Sequence, residues 1–228
     1  MLFLVLGRGK TGSVVAEVAS ERGHGVRVLG EEANHHGSAL TAPFLAGFDA
    51  VIDFTTPEAV VPNLKACLAT GAHVVVGTTG WYSHLPDMRA MTERRGAGLL
   101  YGTNFSIGVQ ALLKVAKALA VAGKGYHFTI TETHHTGKLD IPSGTSLTIQ
   151  QVLQSANPAL KVQIISERSG DAAGTHVIQA RSASDVIELK HESFTRRGFA
   201  EGAVRAAEWI AGRVGTFDFQ DVYEQLLP

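Results

Sequence analysis

Short apolar runs alternate with longer amphipathic segments over the N-terminal part of the chain. The runs are rich in β-branched residues and separated by glycines, as strands buried on both faces are. The predicted strands are residues 2–6, 26–29, 50–54, 73–76 and 98–100. Amphipathic helices are predicted between them at residues 11–22, ending at Gly23, and at residues 57–69, beginning with proline. This alternation predicts an α/β domain built on a doubly wound parallel sheet.

The pattern changes after Asn104. An apolar helix is predicted at residues 109–122 and a strand of alternating polarity at residues 126–132. Further strands are predicted at residues 163–166, 176–182 and 185–191, beside a helix at residues 146–155. These elements predict a second, α+β domain with a mixed sheet that begins near Ser106. The last helix, residues 199–213, is amphipathic, and its pattern assigns it to neither domain.

The composition excludes several classes of protein. Of the 228 residues, 45% are hydrophobic and the formal net charge is -1, so a core is available and no overall field attracts nucleic acid or an anionic membrane. No apolar run approaches the about 20 residues of a membrane-spanning helix, and residues 1–6 lack a basic leader. The single cysteine, Cys67, lies on an apolar helical pattern and is predicted to be a core residue rather than a nucleophile. We expect a cytoplasmic protein with no nucleic-acid or membrane partner.

A glycine-rich turn follows the first strand and opens the first helix. Its residues are Gly7, Arg8, Gly9, Lys10, Thr11 and Gly12, and they match GxGxxG, a turn that brings backbone close to a pyrophosphate. Glu31 comes 19 positions after Gly12, where an acid binds the adenosine ribose. Because a carboxylate repels a 2′-phosphate, NADH is slightly favoured over NADPH, although Arg8 and Lys10 offer positive charge to a phosphate. A turn without a ligand and a solvated loop acid are the simpler alternatives.

Two more strand ends carry small polar residues. These are residues 53–56, Asp-Phe-Thr-Thr, and residues 77–80, Gly-Thr-Thr-Gly. Open α/β sheets bind ligands at the carboxyl edge of their strands, where small residues let a ring and a ribose approach backbone amides. Ordinary turn chemistry is the alternative. Together with the glycine turn, these ends predict a Rossmann-type cofactor site.

Residues 132–145 combine two histidines, a lysine and a helix start. Ser143 is a good N-cap, so the backbone N–H groups of Gly144 and Thr145 are predicted to bind a carboxylate, with Lys138 adding positive charge. A histidine in the same loop can donate a proton near neutral pH. No metal site is expected, because neighbouring histidines such as residues 134–135 and 35–36 point to opposite sides and no carboxylate or cysteine has ligand spacing to them. A polar loop with an exposed lysine is the simpler alternative.

The segment from Glu132 to Thr145 meets every fixed position of the pattern E-x-H-H-x-x-K-x-D-x-P-S-G-T. In this it resembles the dihydrodipicolinate reductases, also called 4-hydroxy-tetrahydrodipicolinate reductases, of the diaminopimelate route to lysine. The resemblance extends over nearly the whole chain. Supporting matches, in family order, are residues 53–55, 77–80 and 104–109, Arg168 with Gly170, residues 174–176, and Phe199 through residues 202–203 to Trp209.

The resemblance implies an NAD(P)H-dependent oxidoreductase, a homotetramer, that converts a cyclic imine dicarboxylate into tetrahydrodipicolinate. It implies that His134 donates or accepts a proton and that Lys138 donates one. The implied substrate-binding residues are His135, Ser143, Gly144 and Thr145. The implied cofactor-binding residues are the glycine turn, Glu31, Gly77, Thr78, Thr79, Gly102, Thr103, Asn104 and Phe105, the last beside the nicotinamide. The implied domains are residues 1–105 plus 198–228 for the dinucleotide, and residues 106–197 for substrate and tetramerisation.

The chain departs from the family pattern in three places. Its glycine turn is one residue shorter than usual, Glu32 stands where a basic residue often follows the ribose acid, and the C-terminal half is compact. The first two leave the choice between NADH and NADPH open. Two other functions remain alternatives: a two-domain dehydrogenase of an amino-acid aldehyde or sugar alcohol, and a non-catalytic sensor of nicotinamide nucleotides. The sensor has no use for a lysine and histidine beside an anion site.

Overall fold

The structure is a computed structural model and describes residues 1–138, 140–170 and 172–227. Leu139, inside the predicted catalytic loop, lies outside the described residues. The strands, in chain order, are β1 (Leu2–Leu6), β2 (Gly25–Leu29), β3 (Ala50–Asp53), β4 (His73–Val76), β5 (Gly98–Tyr101), β6 (His127–His134), β7 (Val162–Arg168), β8 (Thr175–Arg181), β9 (Val186–Glu192) and β10 (Gly215–Asp218). The helices are α1 (Lys10–Glu21), α2 (Ala42–Leu45), α3 (Pro57–Ala69), α4 (Leu85–Arg95), α5 (Ile107–Ala122), α6 (Gly144–Ala156), α7 (Arg197–Ile210) and α8 (Phe219–Val222).

The chain divides into two units, which we call unit 1 (Met1–Ser106 with Arg197–Pro228) and unit 2 (Ile107–Arg196). Unit 1 contains a parallel six-stranded sheet in the order β10-β5-β4-β3-β1-β2. Successive residues of β1 face opposite sides, so Phe3 packs in one core with α1 and α7 while Leu4 packs in another with α3 and α4. The predicted doubly wound α/β sheet is therefore confirmed.

Small residues let α7 pack closely against α1. Ala203, Ala206 and Ala207 are fully buried in the core that α1 shares with the sheet. At the edge of this contact, the Arg22 guanidinium donates hydrogen bonds of 2.9 and 2.7 Å to the two carboxylate oxygens of Glu208. The last long helix, which the pattern left unassigned, therefore belongs to unit 1.

The sequence pattern missed α4 and β10. Among the described residues of α4 only Met88 and Thr92 are buried, so this helix has no apolar stripe to reveal it. The four residues of β10 are all half-buried and pair in parallel with β5 at the edge of the sheet. Cys67, by contrast, is fully buried in α3, as predicted. None of the described helices is both long and apolar enough to cross a membrane.

Unit 2 contains a mixed sheet in the order β7-β6-β8-β9. Strand β6 is parallel to β7 and antiparallel to β8, and β8 is antiparallel to β9. Helices α5 and α6 cover one face, where Leu113 and Leu153 pack against Phe128, Ile130 and Ile178. The predicted α+β class with a mixed sheet is confirmed.

Strand β6 is longer than predicted. The pattern ended it at residue 132 and put both histidines in a loop, but His134 is the last residue of the strand. Phe128, Ile130, Glu132 and His134 alternate on its buried face. The prediction was wrong because the last two inward-facing residues are polar, so apolar periodicity does not show them.

The core of unit 1 predicts a stability difference between two leucines. Leu99 in β5 is fully buried, whereas Leu2 at the start of β1 is 39% exposed. We expect Leu99→Ala to lower the free energy of unfolding by about 2–5 kcal/mol and the control Leu2→Ala to lower it by less than about 1 kcal/mol. Urea titration followed by tryptophan fluorescence reports on unit 1, because Trp81 and Trp209 both lie there. Equal losses would contradict this assignment of the core.

Candidate active site

The glycine turn of unit 1 depends on close backbone contacts. Gly7 has a φ of 100°, and a Cβ at this position would overlap the carbonyl oxygen of Phe54. A Cβ at Gly12 would overlap the carbonyl oxygen of Gly7. Helix α1 begins directly after Gly9, so its N-terminal amides lie at the turn, where they can meet an anion. Glycine at positions 7 and 12 is therefore a steric requirement of this turn.

A cavity of ≈ 240 Å³ lies beside the glycine turn, at the carboxyl edge of β1, β2 and β3. Of the predicted cofactor residues, Gly7, Arg8, Gly9 and Glu31 line it, and Phe54, Thr55 and Thr56 from the predicted strand end join them. Lys10, Thr11 and Gly12 and the residues after β4 and β5 do not line it. The cavity also includes Asn34, His35, His36, Glu58, Ala59 and Asn63, to which sequence reasoning gave no binding role.

An ion pair neutralises the arginine of the glycine turn. Arg8 Nη1 lies 2.7 Å from Glu32 Oε1, and both side chains are largely exposed. Glu31 precedes Glu32 in a short 3-10 turn, Glu31–Ala33, at the rim of the cavity. The rim is therefore net acidic near Glu31, although the turn contains an arginine.

Asp53 joins the ends of β3 and β4. It is fully buried, and its carboxylate accepts hydrogen bonds from Thr55 N (3.0 Å), Thr55 Oγ1 (2.6 Å), Thr78 Oγ1 (2.8 Å) and Asn63 Nδ2 (2.9 Å). Burial raises the pKa of Asp53, and the bonds from Thr55, Asn63 and Thr78 partly offset that rise. The Thr78 hydroxyl thus fixes the loop after β4, whereas Thr79 beside it is exposed.

The segment after β5 combines exposed and core residues. Thr103 is exposed, while Gly102 and Asn104 are buried and Asn104 Oδ1 accepts a hydrogen bond of 2.8 Å from Ser106 N. Phe105 is only 2% exposed, and its ring packs against Phe219 at 4.5 Å between centroids. The ring of Phe105 is therefore a core side chain of unit 1.

In unit 2, sheet register brings two histidines, an acid and an arginine together. Glu132 in β6 pairs with His176 in β8, and His134 in β6 pairs with Arg168 in β7. The rings of His134 and His176 are 5.2 Å apart between centroids, and His134 Nδ1 lies 3.9 Å from Glu132 Oε2. Both histidines are more than nine-tenths buried. The sequence assigned no role to Glu132, Arg168 and His176. They lie on three different strands, and only the pairing of those strands brings them together.

Burial disfavours the charged form of both imidazoles. It lowers the pKa of His134, and the nearby Glu132 carboxylate opposes that shift. Burial and the adjacent His134 together lower the pKa of His176 to about 4. The Glu132 carboxyl behaves differently: burial raises its pKa, but hydrogen bonds from Ser143, Ser146 and Ser166 outweigh burial and hold it at about 2. Near neutral pH the cluster is one carboxylate beside two neutral rings.

Helix α6 begins where the predicted anion site lies. Ser143 is its N-cap and accepts a hydrogen bond of 3.2 Å from Ser146 N, as predicted. Gly144 and Thr145 are the first helical residues, whose backbone N–H groups point out of the helix end. The Ser143 hydroxyl also lies 3.3 Å from His176 Nε2, so the helix start contacts the histidine cluster.

The lysine of the predicted site is held in an ion pair. Lys138 Nζ donates hydrogen bonds of 2.7 and 2.9 Å to the two carboxylate oxygens of Asp140. Arg168 donates to the backbone on both sides, to Lys138 O at 3.3 Å and to Asp140 O at 2.7 Å. His135 follows β6 and is half-buried. Lys138, His134 and the α6 start are thus all linked to the Glu132–Arg168 pair within unit 2.

Glu132, His134 and His176 also have the composition of a metal site. One ligand atom from each lies within 4.8 Å of the others, in the only such group among the described residues. Both Glu132 oxygens, however, already accept hydrogen bonds, and the Arg168 guanidinium lies 3.5 Å away. A second cation would face that positive charge, so the contacts favour a polar cluster without a metal.

His176 predicts a loss of stability in acid. Its pKa is about 4 in the folded chain but about 6.5 in an unfolded chain. The unfolded state therefore binds more protons between these values, and stability is lost as the pH falls from about 6.5 to about 4. We expect the free energy of unfolding of unit 2 to decrease by up to about 3 kcal/mol across this window, and His176→Gln to remove much of that decrease.

Hydrogen exchange of peptides from β6 and β8, corrected for intrinsic rates, measures the stability of unit 2. His127→Gln is the matched control, since His127 is exposed on the same sheet. If the His176 variant kept the wild-type pH dependence, the ring would not be the buried neutral group described here.

Two family models cover nearly the whole chain. The model described as "Dihydrodipicolinate reductase, N-terminus" matches residues 1–105, and "Dihydrodipicolinate reductase, C-terminus" matches residues 108–223. The 4-hydroxy-tetrahydrodipicolinate reductase of Natronomonas pharaonis is 38% identical over 237 residues, covering 93% of this chain and 96% of that protein. The enzyme of the same name from Christiangramia forsetii is 32% identical over 243 residues, covering 99% of each.

A solved structure shows the same fold. The dipicolinate-bound dihydrodipicolinate reductase from Paenisporosarcina sp. TG-14 superposes with a TM-score of 0.76, at 21% identity, over 97% of this chain and 99% of that one. The two family models and the similarity to curated reductases agree over both units. The chain therefore belongs to the dihydrodipicolinate reductase family, whose members are NAD(P)H-dependent oxidoreductases of lysine biosynthesis through diaminopimelate.

Proposed function

We propose that unit 1 of this chain binds the nicotinamide cofactor and that unit 2 binds 4-hydroxy-tetrahydrodipicolinate, which is reduced to tetrahydrodipicolinate with loss of water. The observation that carries the assignment of residues is the cluster in unit 2. There the Lys138 loop, the His134 imidazole and the N-terminus of α6 all contact the ion pair of Glu132 and Arg168. Such a set combines proton-transfer groups with backbone amides that can bind an anion, as a dicarboxylate substrate that takes up a proton requires.

The residues of unit 1 fit a dinucleotide. Gly7 and Gly12 leave no room for a Cβ, the start of α1 offers amides to a pyrophosphate, and Glu31 stands at the rim for the ribose hydroxyls. The other proposed contacts are Arg8, Gly9, Lys10 and Thr11 in the turn, Gly77, Thr78 and Thr79 after β4, and Gly102, Thr103, Asn104 and Phe105 after β5. When bound, the nicotinamide supplies the hydride. Because Phe105 is buried, its ring would act by packing against Phe54, which lines the cavity, at 6.1 Å between ring centroids.

We favour NADH over NADPH for a reason of charge. Glu31 and Glu32 are adjacent in the turn at which we propose that the ribose binds, and Glu32 already pairs with Arg8. A 2′-phosphate would meet two carboxylates and an arginine that is neutralised by one of them. NADH carries no such phosphate, so its binding requires no rearrangement of this ion pair.

On the substrate side, His135 and the start of α6 would hold the two carboxylates. Gly144 and Thr145 supply backbone N–H groups, and Ser143 fixes that end as its N-cap. Adjacent backbone amides recognise an anion without a side-chain charge of their own. Lys138, whose ammonium is paired with Asp140 at 2.7 Å, lies in the preceding loop and would offer a further hydrogen-bond donor to a substrate carboxylate.

Lys138 and His134 would handle protons. Burial raises the pKa of Asp140, but the hydrogen bond and charge of Lys138 outweigh burial and lower it, so Asp140 is ionised at neutral pH and holds the lysine. The ammonium can therefore donate the proton that the ring takes up on reduction. His134, neutral because burial lowers its pKa, can accept a proton or return one.

We further propose that the enzyme is a cytoplasmic homotetramer assembled through unit 2. The face of its sheet that α5 and α6 leave uncovered exposes apolar side chains, among them Ile165 at 40% and Val186 at 46%. Exposed apolar surface of this kind is typical of sites of association. Sedimentation at micromolar concentration gives the subunit number.

Replacing the lysine tests the proton-donor assignment. We expect Lys138→Ala to lower kcat by about 10²- to 10⁴-fold, while the Kd of NADH, measured by fluorescence, changes by less than about twofold because Lys138 is not among the proposed cofactor contacts. The control Lys124→Ala removes an exposed lysine of the same unit and should leave both quantities at wild-type values. The assay follows NADH absorbance with enzymatically generated 4-hydroxy-tetrahydrodipicolinate. Stopped-flow hydride transfer at the wild-type rate in the Lys138 variant would contradict the assignment.

The acidic rim predicts a change of cofactor preference. Glu32→Gln frees Arg8, and we expect it to strengthen NADPH binding by about three- to tenfold, equivalent to about 1 kcal/mol, with little effect on NADH. Glu31→Gln is the matched comparison and should weaken NADH, because it removes the ribose acceptor. Isothermal titration with each cofactor measures both. Equal gains for NADH and NADPH in the Glu32 variant would show that the ion pair does not control the 2′ position.

A further inference from the structure

Glu132 is a buried charge whose ionic partner, Arg168, lies at the outer limit of hydrogen-bond distance. Its side chain is fully buried, and the nearest cationic atom, Arg168 Nη1, is 3.5 Å away. An ionised carboxylate in such a place is strongly destabilising unless hydrogen bonds replace its water. Here Ser143 N donates at 3.0 Å and Ser146 Oγ at 2.6 Å to the same oxygen. Both of these donors belong to the α6 start, which the buried charge therefore fixes to the end of β6.

Arg168 extends this anchor to the lysine loop. Besides Glu132, its guanidinium donates to the carbonyl oxygens of Lys138 at 3.3 Å, Asp140 at 2.7 Å and Glu167 at 2.8 Å. Three backbone carbonyls and one carboxylate account for its position. The backbone on which the lysine stands is therefore bonded, through one guanidinium, to the same acid that holds the helix start.

Glu132 is also the acid closest to His134. The titratable and charged groups around this ring are Glu132 on β6, Lys138 and Asp140 in the following loop, Arg168 on β7 and His176 on β8, with His191 on β9 beyond His176. Asp140 also acts on the ring but is paired with Lys138, so Glu132 is the carboxylate with the larger effect. His134 Nδ1 faces it at 3.9 Å and has no hydrogen-bond partner among the described residues.

We propose that Glu132, paired with Arg168, is a positioning residue of the reaction: it holds the Lys138 loop and the α6 start in place and tunes the proton affinity of His134. This rests on the proposed function only in so far as Lys138 and His134 handle protons. Glu132 and Arg168 carry opposite charges beside the His134 ring. Both also hold the surrounding backbone, Glu132 at the α6 start and Arg168 at the Lys138 loop. Removing either should therefore damage catalysis in the same direction while changing the titration of His134 in opposite directions.

Two substitutions that preserve shape test this. Glu132→Gln should lower the pKa of His134 and Arg168→Gln should raise it. Both should lower kcat at least tenfold and weaken binding of pyridine-2,6-dicarboxylate, while the Kd of NADH stays within twofold. The matched control is Glu167→Gln, an exposed acid beside Arg168, which should behave as wild type in all four measurements.

The titration is read by NMR on protein with ¹³C-labelled histidine, and the His134 resonance is identified among the ten histidines by its loss in His134→Gln. Because this readout needs no substrate, it separates the present proposal from the proposed reaction. If the wild type fails to reduce 4-hydroxy-tetrahydrodipicolinate, the reaction is wrong, and opposite shifts of His134 still support the role of the pair. Shifts in the same direction, or unchanged titration and kcat in a merely less stable protein, would overturn it.

Ser146→Ala guards against a Glu132 variant that does not fold. It removes one donor to the carboxylate but keeps the charge. We expect weaker binding of pyridine-2,6-dicarboxylate with little change in the titration of His134. The helix start then loses one hydrogen bond to Glu132, whereas the carboxylate keeps its charge beside the ring. Wild-type affinity in this variant would overturn the positioning role at the helix start.

Discussion

A buried carboxylate at the end of a strand constrains everything around it, because its charge must be met by donors that come from other segments. In unit 2 Glu132 takes its donors from the start of α6 and faces Arg168 on the next strand. If the helix start moved, an unsatisfied charge would remain inside the protein. The position of the α6 start and of the lysine loop follows from that requirement.

Unit 1 also has a buried carboxylate at a strand end, but its surroundings differ. Asp53 is also buried at a strand end, but its donors are the hydroxyl and amide groups of Thr55, Thr78 and Asn63 together with one backbone N–H, and no cation lies among them. Its pKa is raised, whereas that of Glu132 is lowered. One acid therefore ties together loops at the predicted cofactor edge, and the other adds a permanent negative charge to a cluster of titratable groups.

The charges at the predicted cofactor edge are arranged in the opposite way. Here the acids are exposed, and Glu32 pairs with Arg8 in water rather than in a dry interior. Exposed pairs contribute little to stability, so this one matters through the potential that it presents to a ligand. Unit 2 therefore contains a buried charge that is fixed by hydrogen bonds, whereas the Arg8–Glu32 pair of unit 1 is exposed to solvent.

The sequence by itself determined the features that depend on neighbours in the chain. Apolar periodicity is local, so it predicted most strands of both sheets; the glycine turn and the Ser143 cap are local as well, since each is set by a few consecutive residues. The family pattern carried the rest of the functional expectation. Helix α4 and strand β10 were not predicted, because their burial comes from the fold and not from an apolar pattern.

Only the tertiary structure decided which polar residues meet. Glu132 reaches His176 and His134 reaches Arg168 through strand register, which fixes cross-strand neighbours that are distant in sequence. In the same way, Asn34, His35 and Asn63 join the glycine turn at one cavity although they come from different segments. A single strand's pattern tells which face a residue occupies, but the pairing partner depends on how other strands align. That alignment is a property of the whole sheet, and it placed the acid that organises unit 2.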